Sequence, residues 1–147
     1  FFDTTEMIQD QVPLYKAGDQ GHLHVCLHGA GHSAMSFAAF ASQMKSDSIV
    51  YAFDHRGHGT HTCHNETELS QETLIGDTLR VLELVHQRHP DTSITLVGHS
   101  MGGSIAVKTA RRLETELKDT RLGKALGALV IIDVVEGTAM EALPFME

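Results

Sequence analysis

The sequence predicts an α/β fold, a mostly parallel sheet with helices on both faces. Three observations carry this. Several short runs, "HLHVCL", "SIVYAF", "SITLV" and "ALGALVII", are nearly continuous in apolar residues, as strands buried on both faces are. Between them lie stretches whose apolar residues recur at the three- and four-residue spacing of an amphipathic helix. Runs and helical stretches alternate along the chain, the order that builds parallel sheets.

In chain order, "HLHVCLHGAGH" (His22 to His32) reads as a strand breaking into a glycine-rich turn, after which Phe37, Phe40, Ala41 and Met44 fall at helical spacing. "SIVYAF" (Ser48 to Phe53) is a β-branched strand ending at Asp54, and the polar loop "DHRGHGTHTCHNETE" follows. Ser70 is a fitting N-cap for a helix that places Ile75, Leu79 and Leu82 on one face, with Leu74, Val81 and Val85 beside it, and Pro90 stops it. "SITLV" is the next strand, and the helix after it carries Ile105, Ala106, Ala110 and Leu113 on one side. That helix continues into the solvated "RRLETELKDTR". "ALGALVIID" (Ala125 to Asp133) is a last apolar run entering a loop. No repeat or low-complexity linker interrupts this order.

The totals exclude several classes of function. The 147 residues suit one domain, and 41% hydrophobic with 20% charged residues is ordinary for a globular chain. A formal net charge of -8 argues against a nucleic-acid partner and against an acidic membrane surface. No apolar run approaches the roughly 18 residues of a membrane span, and "FFDTTEMIQD" does not read as a signal peptide. It lacks an initiator methionine, so the natural protein is expected to begin earlier. Two cysteines, Cys26 and Cys63, are too few for a disulfide framework. A reducing, intracellular setting, cytoplasmic or nuclear, is the expectation.

Gly98-His99-Ser100-Met101-Gly102 fits G-x-S-x-G, and it lies between a buried strand and a helix. A bare match arises often by chance, as a glycine-rich turn without chemistry. The strand–helix context gives it weight, because that sharp turn presents the serine hydroxyl above the sheet edge. Ser100 is thus a candidate nucleophile, with the Met101 amide at a helix N-terminus as one oxyanion donor. A second donor is expected from the loop after an earlier strand. "HGAG" (His28 to Gly31) sits there, with the Ala30 amide as candidate, although the same residues also read as a tight turn. His28, Gly29, Gly31 and His99 are expected to support the pocket. His28 shapes the loop and does not transfer protons. His32 and Ser33 read as helix-start residues nearby.

"HGAGHSAMSF", "FDHRGHG" and "GHSMGG" together resemble the α/β-hydrolase fold, and "VIIDVVEGTAMEAL" (Val130 to Leu143) resembles the protein phosphatase methylesterase family in particular. "LYKAG", "LHGAGHSAMSF" and "ELSQET" follow the same family's pattern in order, so the resemblance covers nearly the whole chain. It implies a serine carboxylesterase that removes the methyl ester from the C-terminal leucine of a type 2A protein phosphatase catalytic subunit, without a cofactor. It also implies Ser100 as nucleophile, Asp133 as triad acid, and Met101 with the "HGAG" loop as the oxyanion hole. Read from the residues alone, Asp133 also fits an Asp that caps a turn. Its place at the carboxyl end of a buried strand, where open α/β sheets assemble ligand sites, favours the chemical role.

The family's triad order is Ser, acid, His, and the last histidine of this sequence is His99. His99 adjoins Ser100, but neighbours on a sharp turn point different ways, so it is not expected to act as base. Residues 1–147 are therefore expected to be a partial α/β-hydrolase domain, the N-terminal, nucleophile-bearing part, without the later strands, lid and triad histidine. Such a chain is expected to hydrolyse esters weakly or not at all. A sheet stopped at its sixth strand would leave an apolar edge, giving a marginal, aggregating piece or one paired with a second chain that supplies the rest.

Two other readings remain open: another serine hydrolase of small esters, and a non-catalytic α/β-hydrolase-like module that binds a phosphatase or another partner. His55, His58, His61 and His64 with Cys63 raise a fourth, a zinc or copper site. These ligands share one glycine- and threonine-containing loop, and Arg56 is an unfavourable neighbour for a cation. No physiological metal is expected, and a solvated loop is the simpler reading. Asp54 and Arg56 are expected to hold this loop by hydrogen bonds.

Overall fold

The computed structural model describes residues 1–9 and 11–133. Six strands form one sheet: β1 (Thr4–Ile8), β2 (Val12–Ala17), β3 (His22–Leu27), β4 (Ser48–Phe53), β5 (Ile94–His99) and β6 (Leu126–Ile132). Their order across the sheet is β1-β2-β4-β3-β5-β6. β3 runs parallel to both β4 and β5, and β5 parallel to β6. β1 and β2 are antiparallel to each other, and β2 to β4.

The β1–β2 hairpin precedes the first of the apolar runs. β1 is an edge strand whose side chains are almost all exposed. "TTEMI" therefore has no need of the apolar pattern by which the central strands are recognised.

Side-chain alternation along the strands sorts the core into two layers. Leu23, Val25 and Leu27 of β3, with Ile49, Tyr51 and Phe53 of β4, face one side. There α2 (Gln71–Arg88), α3 (Met101–Thr115) and α4 (Arg121–Ala125) bring Leu74, Val81, Leu82, Ile105, Leu113 and Leu122 against them. Cys26, Val50, Ala52 and Val97 face the other side, under Ala34, Phe37 and Ala41. Those three belong to a 3-10 turn (Ala34–Phe37) and the short α1 (Ala38–Met44), where the sequence suggested one helix.

Ser70 caps α2 as expected, its hydroxyl accepting from the Thr73 amide at 3.4 Å. α3 ends at Thr115, so "RRLETELKDTR" continues through a turn into α4, with only Leu113 and Leu122 buried.

The two sheet edges differ. Among the described residues β6 pairs on one side only, and its consecutive residues Leu129, Val130, Ile131 and Ile132 are each 38–43% exposed. Adjacent residues of a strand point to opposite faces, so both faces of β6 carry uncovered apolar surface. Among the described residues no helix is long and apolar enough to cross a membrane.

Candidate active site

The C-terminal ends of β3, β5 and β6 converge on Ser100. This residue lies between β5 and α3 with φ +52° and ψ -118°, a conformation costly for any residue with a Cβ. Its neighbours hold it there. The Ser100 amide donates to the Ile132 carbonyl of β6 at 2.9 Å, and the Ser100 carbonyl accepts from the Gly103 and Ser104 amides of α3. Gly102 lets the helix start press on β3, since a Cβ there would meet the Leu27 carbonyl oxygen at 2.2 Å and that of His28 at 2.6 Å. The first amides of a helix have no partner within it, and Met101 opens α3 directly after Ser100. A half-buried hydroxyl beside such donors is a setting in which negative charge can be stabilised.

The loop after β3 lies against this serine. A Cβ on Gly29 would stand 3.2 Å from Ser100 Cβ and 3.0 Å from His99 Nδ1. His28 beneath it is fully buried. Its Nδ1–H donates to the Gly29 carbonyl at 2.8 Å, and its Nε2 accepts from the His55 amide at 3.0 Å. Both ring nitrogens are thereby engaged in the neutral form, and burial lowers the pKa of the imidazole. His28 thus ties the loop after β3 to the loop after β4. Ala30 and Gly31 form the exposed tip, with Gly31 at φ +71° and the His32 amide returning to the Gly29 carbonyl.

Asp133, at the end of β6, also has a left-handed backbone, with φ +53°. Its side chain is 78% exposed, and Oδ2 lies 3.9 Å from His99 Nε2, beyond hydrogen-bond distance. The His99 ring stacks on His32, with centroids 5.5 Å apart. The structure therefore gathers Ser100, His99, Asp133, Met101 and the 28–32 loop at one end of the sheet. Most of the stretch "DVVEGTAMEAL", from Val134 onward, lies outside the described residues.

The loop after β4 is largely exposed, as expected of a solvated segment, except at Asp54, His55 and His61. His55 is 1% and His61 7% exposed, and His55 packs edge-on against both His28 and Phe53. The signal was in the sequence: the apolar run of β4 leads straight into Asp54-His55, so the first loop residues are buried with the end of the strand. Among the described residues no three His, Cys, Asp or Glu side chains converge as a metal site. Asp54 is itself buried, accepting from the Ala34 amide at 2.7 Å and the Thr60 amide at 2.9 Å. It thus fastens the loop after β4 to the start of the 3-10 turn, as expected of it.

Arg56 makes a two-pronged pair with Asp77 of α2, Nε to Oδ2 at 2.7 Å and Nη2 to Oδ1 at 3.0 Å, which raises the guanidinium pKa. Asp77 went unnoticed in the sequence. Its signal was an acidic residue on the core-facing side of an amphipathic helix, between Leu74 and Val81, which burial demands be paired.

Comparison with known proteins bears on what this arrangement belongs to. The family profile described as Hydrolase_4, serine aminopeptidase S33, matches residues 20–126. The chain belongs to the α/β-hydrolase family. It is 42% identical over 141 residues to protein phosphatase methylesterase 1 of Bos taurus, covering 95% of this chain and 35% of that protein. The probable protein phosphatase methylesterase 1 of Caenorhabditis elegans is 38% identical over 136 residues, covering 91% and 35%.

Among solved structures, the thioesterase domain from the curacin biosynthetic pathway superposes with a TM-score of 0.68 at 23% identity, covering 97% of this chain and 50% of that one. A thermostable carboxyl esterase from Bacillus coagulans gives 0.70 at 21%, covering 97% and 47%. At such identities these two speak for the fold alone. The chain spans about a third of the length of the methylesterases it matches.

Proposed function

We propose that this chain is the nucleophile-bearing portion of a serine carboxylesterase that demethylates the C-terminal leucine of a type 2A protein phosphatase catalytic subunit. The observation that carries the reading is the backbone of Ser100, φ +52° at a strand–helix junction with the Gly29 loop against its Cβ. Strain of this kind persists where surrounding structure over-determines it, and it gathers at functional sites. The identity to methylesterases supports the substrate.

In this reading a histidine supplied from outside these 147 residues takes the Ser100 proton, while Asp133 holds its imidazole in orientation. Ser100 Oγ attacks the ester carbonyl, and the Met101 and Ala30 amides stabilise the oxyanion, each worth about 3 kcal/mol. The histidine returns the proton to the leaving oxygen and methanol departs. Water then attacks the acyl-enzyme, releasing the leucine carboxylate and regenerating Ser100. His28 does not serve as base, because both of its nitrogens are already engaged. Gly29, Gly31 and His99 shape the pocket. No cofactor enters these steps.

The test is intact mass after treatment with a fluorophosphonate, for this chain and for a version continued into the segment that follows in the methylesterases. A single adduct on the longer version alone, lost in Ser100→Ala, is the expected result. Equal labelling of both would mean that a histidine within this chain activates the serine. Labelling of neither would favour a binding module.

A further inference from the structure

His28 and His55 are buried imidazoles beside the serine, and the proposed chemistry moves no proton on either. The partners of His28 fix its tautomer. The Gly29 carbonyl only accepts and the His55 amide only donates, so Nδ1 carries the proton and Nε2 is bare. The bond at Nε2 joins the loop after β3 to the loop after β4. Gly29 in turn leans on Ser100, where a Cβ would come within 3.2 Å of the serine Cβ.

A proton added to His28 has one place to go. On Nε2 it sets an N–H against the His55 N–H, so an acceptor is lost and two donors face each other. Burial holds both imidazoles below the ordinary histidine value, His55 well below it. At His28 the Gly29 carbonyl and Asp54 favour a positive charge, while His58, its ring 5.3 Å away, and His32 oppose one. The Asp54 carboxylate does not take over at Nε2, because it is committed to the Ala34 and Thr60 amides. His55, 4.7 Å from His28 ring to ring, has neither nitrogen partnered among the described residues, and His58 and His61 oppose its charging too. The closed arrangement is therefore the one present at neutral pH, and it is lost as pH falls through the His28 value.

From one proton-dependent bond between two loops beside Ser100, we infer an acid-opened latch. Protonation of His28 Nε2 breaks the bond from the His55 amide and releases the 28–32 loop from the serine, while β3, β4 and β5 stay paired. The latch rests on the geometry of His28. Only its effect on hydrolysis rests on the proposed reading of Ser100.

The test is a pH titration of the chain labelled with ¹⁵N, reading the histidine ring nitrogens and the backbone amides. His28 is expected to show a protonated Nδ1 and a bare Nε2 at neutral pH. The amides of Gly29, Ala30 and His55 should move with His28 Nε2 at one midpoint, below the ordinary 6.5, while those of Val25 and Leu96 hold still. In His28→Gln, whose side-chain oxygen accepts without titrating, that shared step should vanish. The opposite tautomer would overturn the inference, as would separate midpoints for Gly29 and His55, or movement only when the strand amides unfold. These wild-type readings decide the matter even where His28→Gln does not fold. In the version continued into the following segment, fluorophosphonate labelling should fall with the second power of proton concentration below both midpoints, one proton for the triad histidine and one for His28. A first-power fall throughout would overturn the latch's hold on the serine. No labelling at any pH would sink the Ser100 reading instead, and the amide titration would still judge the latch.

Discussion

Asp54 is the buried carboxylate on which two loops of the site depend, and its removal should be measurable in two ways. It is 1% exposed and accepts from the Ala34 amide at 2.7 Å and the Thr60 amide at 2.9 Å, with longer contacts from Thr60 Oγ1 and Tyr15 Oη. Hydrogen bonds to a charged acceptor contribute about 1.5–3 kcal/mol each, so the two short ones sum to about 3–6 kcal/mol. Asp54→Ala also removes the desolvation cost of burying a charge, which brings the net loss to about 3 kcal/mol. Asp54→Asn keeps one acceptor and sets an amide N–H₂ against the other backbone donor, so about half of that loss is expected. The assay is urea unfolding, read as a lower midpoint at unchanged slope. Because the Ala34 amide begins the turn that follows the 28–32 loop, fluorophosphonate labelling of the longer version should fall with stability restored by low temperature. A loss below about 1 kcal/mol in Asp54→Ala would refute the reasoning, since the Ala34 amide would be left buried without its acceptor.

The remaining predictions concern pH, packing and the open edge. His28 and His55 are both lowered in pKa by burial, His55 well below the ordinary value. The unfolded chain therefore binds more protons below about pH 6.5, and stability present above that pH should be lost as acidity increases. Since neither ring nitrogen of His55 has a partner among the described residues, His55→Phe should be neutral or stabilising at about pH 7.5 and should flatten the fall toward about pH 5.5. A loss of stability at neutral pH would contradict this. Gly102→Ala should cost about 1–3 kcal/mol or more, because the atoms a Cβ meets are backbone carbonyls that cannot rotate away, and calorimetry at wild-type stability would refute it. Paired lysines at Val130 and Ile132, both 43% exposed on β6, should lower light scattering on concentration. Unchanged scattering would mean that β6 is not the sticky edge.

How much of this was legible in the sequence follows from where each feature gets its stability. β3, β4 and β5 are buried on both faces, so their composition alone announces them, and the faces of α2 and α3 fall where the three- and four-residue spacing puts them. β1 is an exposed edge strand, which places little demand on side-chain type, and β2 buries Leu14 and Ala17 among half-buried positions without a continuous apolar run. Ser100 was legible because its strain needs glycines at fixed offsets, and these remain visible in a bare sequence. The His28–His55 hydrogen bond was not, since it joins two loops brought together by the parallel register of β3 and β4. For the same reason Asp77 had no visible partner until Arg56 folded over α2.

The two left-handed residues at the end of the sheet are held very differently. At Ser100, hydrogen bonds reach both β6 and α3, and Gly102 is wedged under β3, so a cost of about 1–3 kcal/mol in the backbone is offset by fixed neighbours. At Asp133 the same cost falls on a residue whose side chain is largely exposed, with His99 Nε2 at 3.9 Å. On the proposed reading hydrolysis needs the two in register to within a fraction of an ångström, yet among the described residues only Ser100 is over-determined by its surroundings. The Ser100 amide bond to the Ile132 carbonyl ties the serine to the residue immediately before Asp133, so the backbones of the two strand ends move together. On that reading the Asp133 carboxylate is fixed by a hydrogen-bond donor that approaches closer than the 3.9 Å of His99 Nε2.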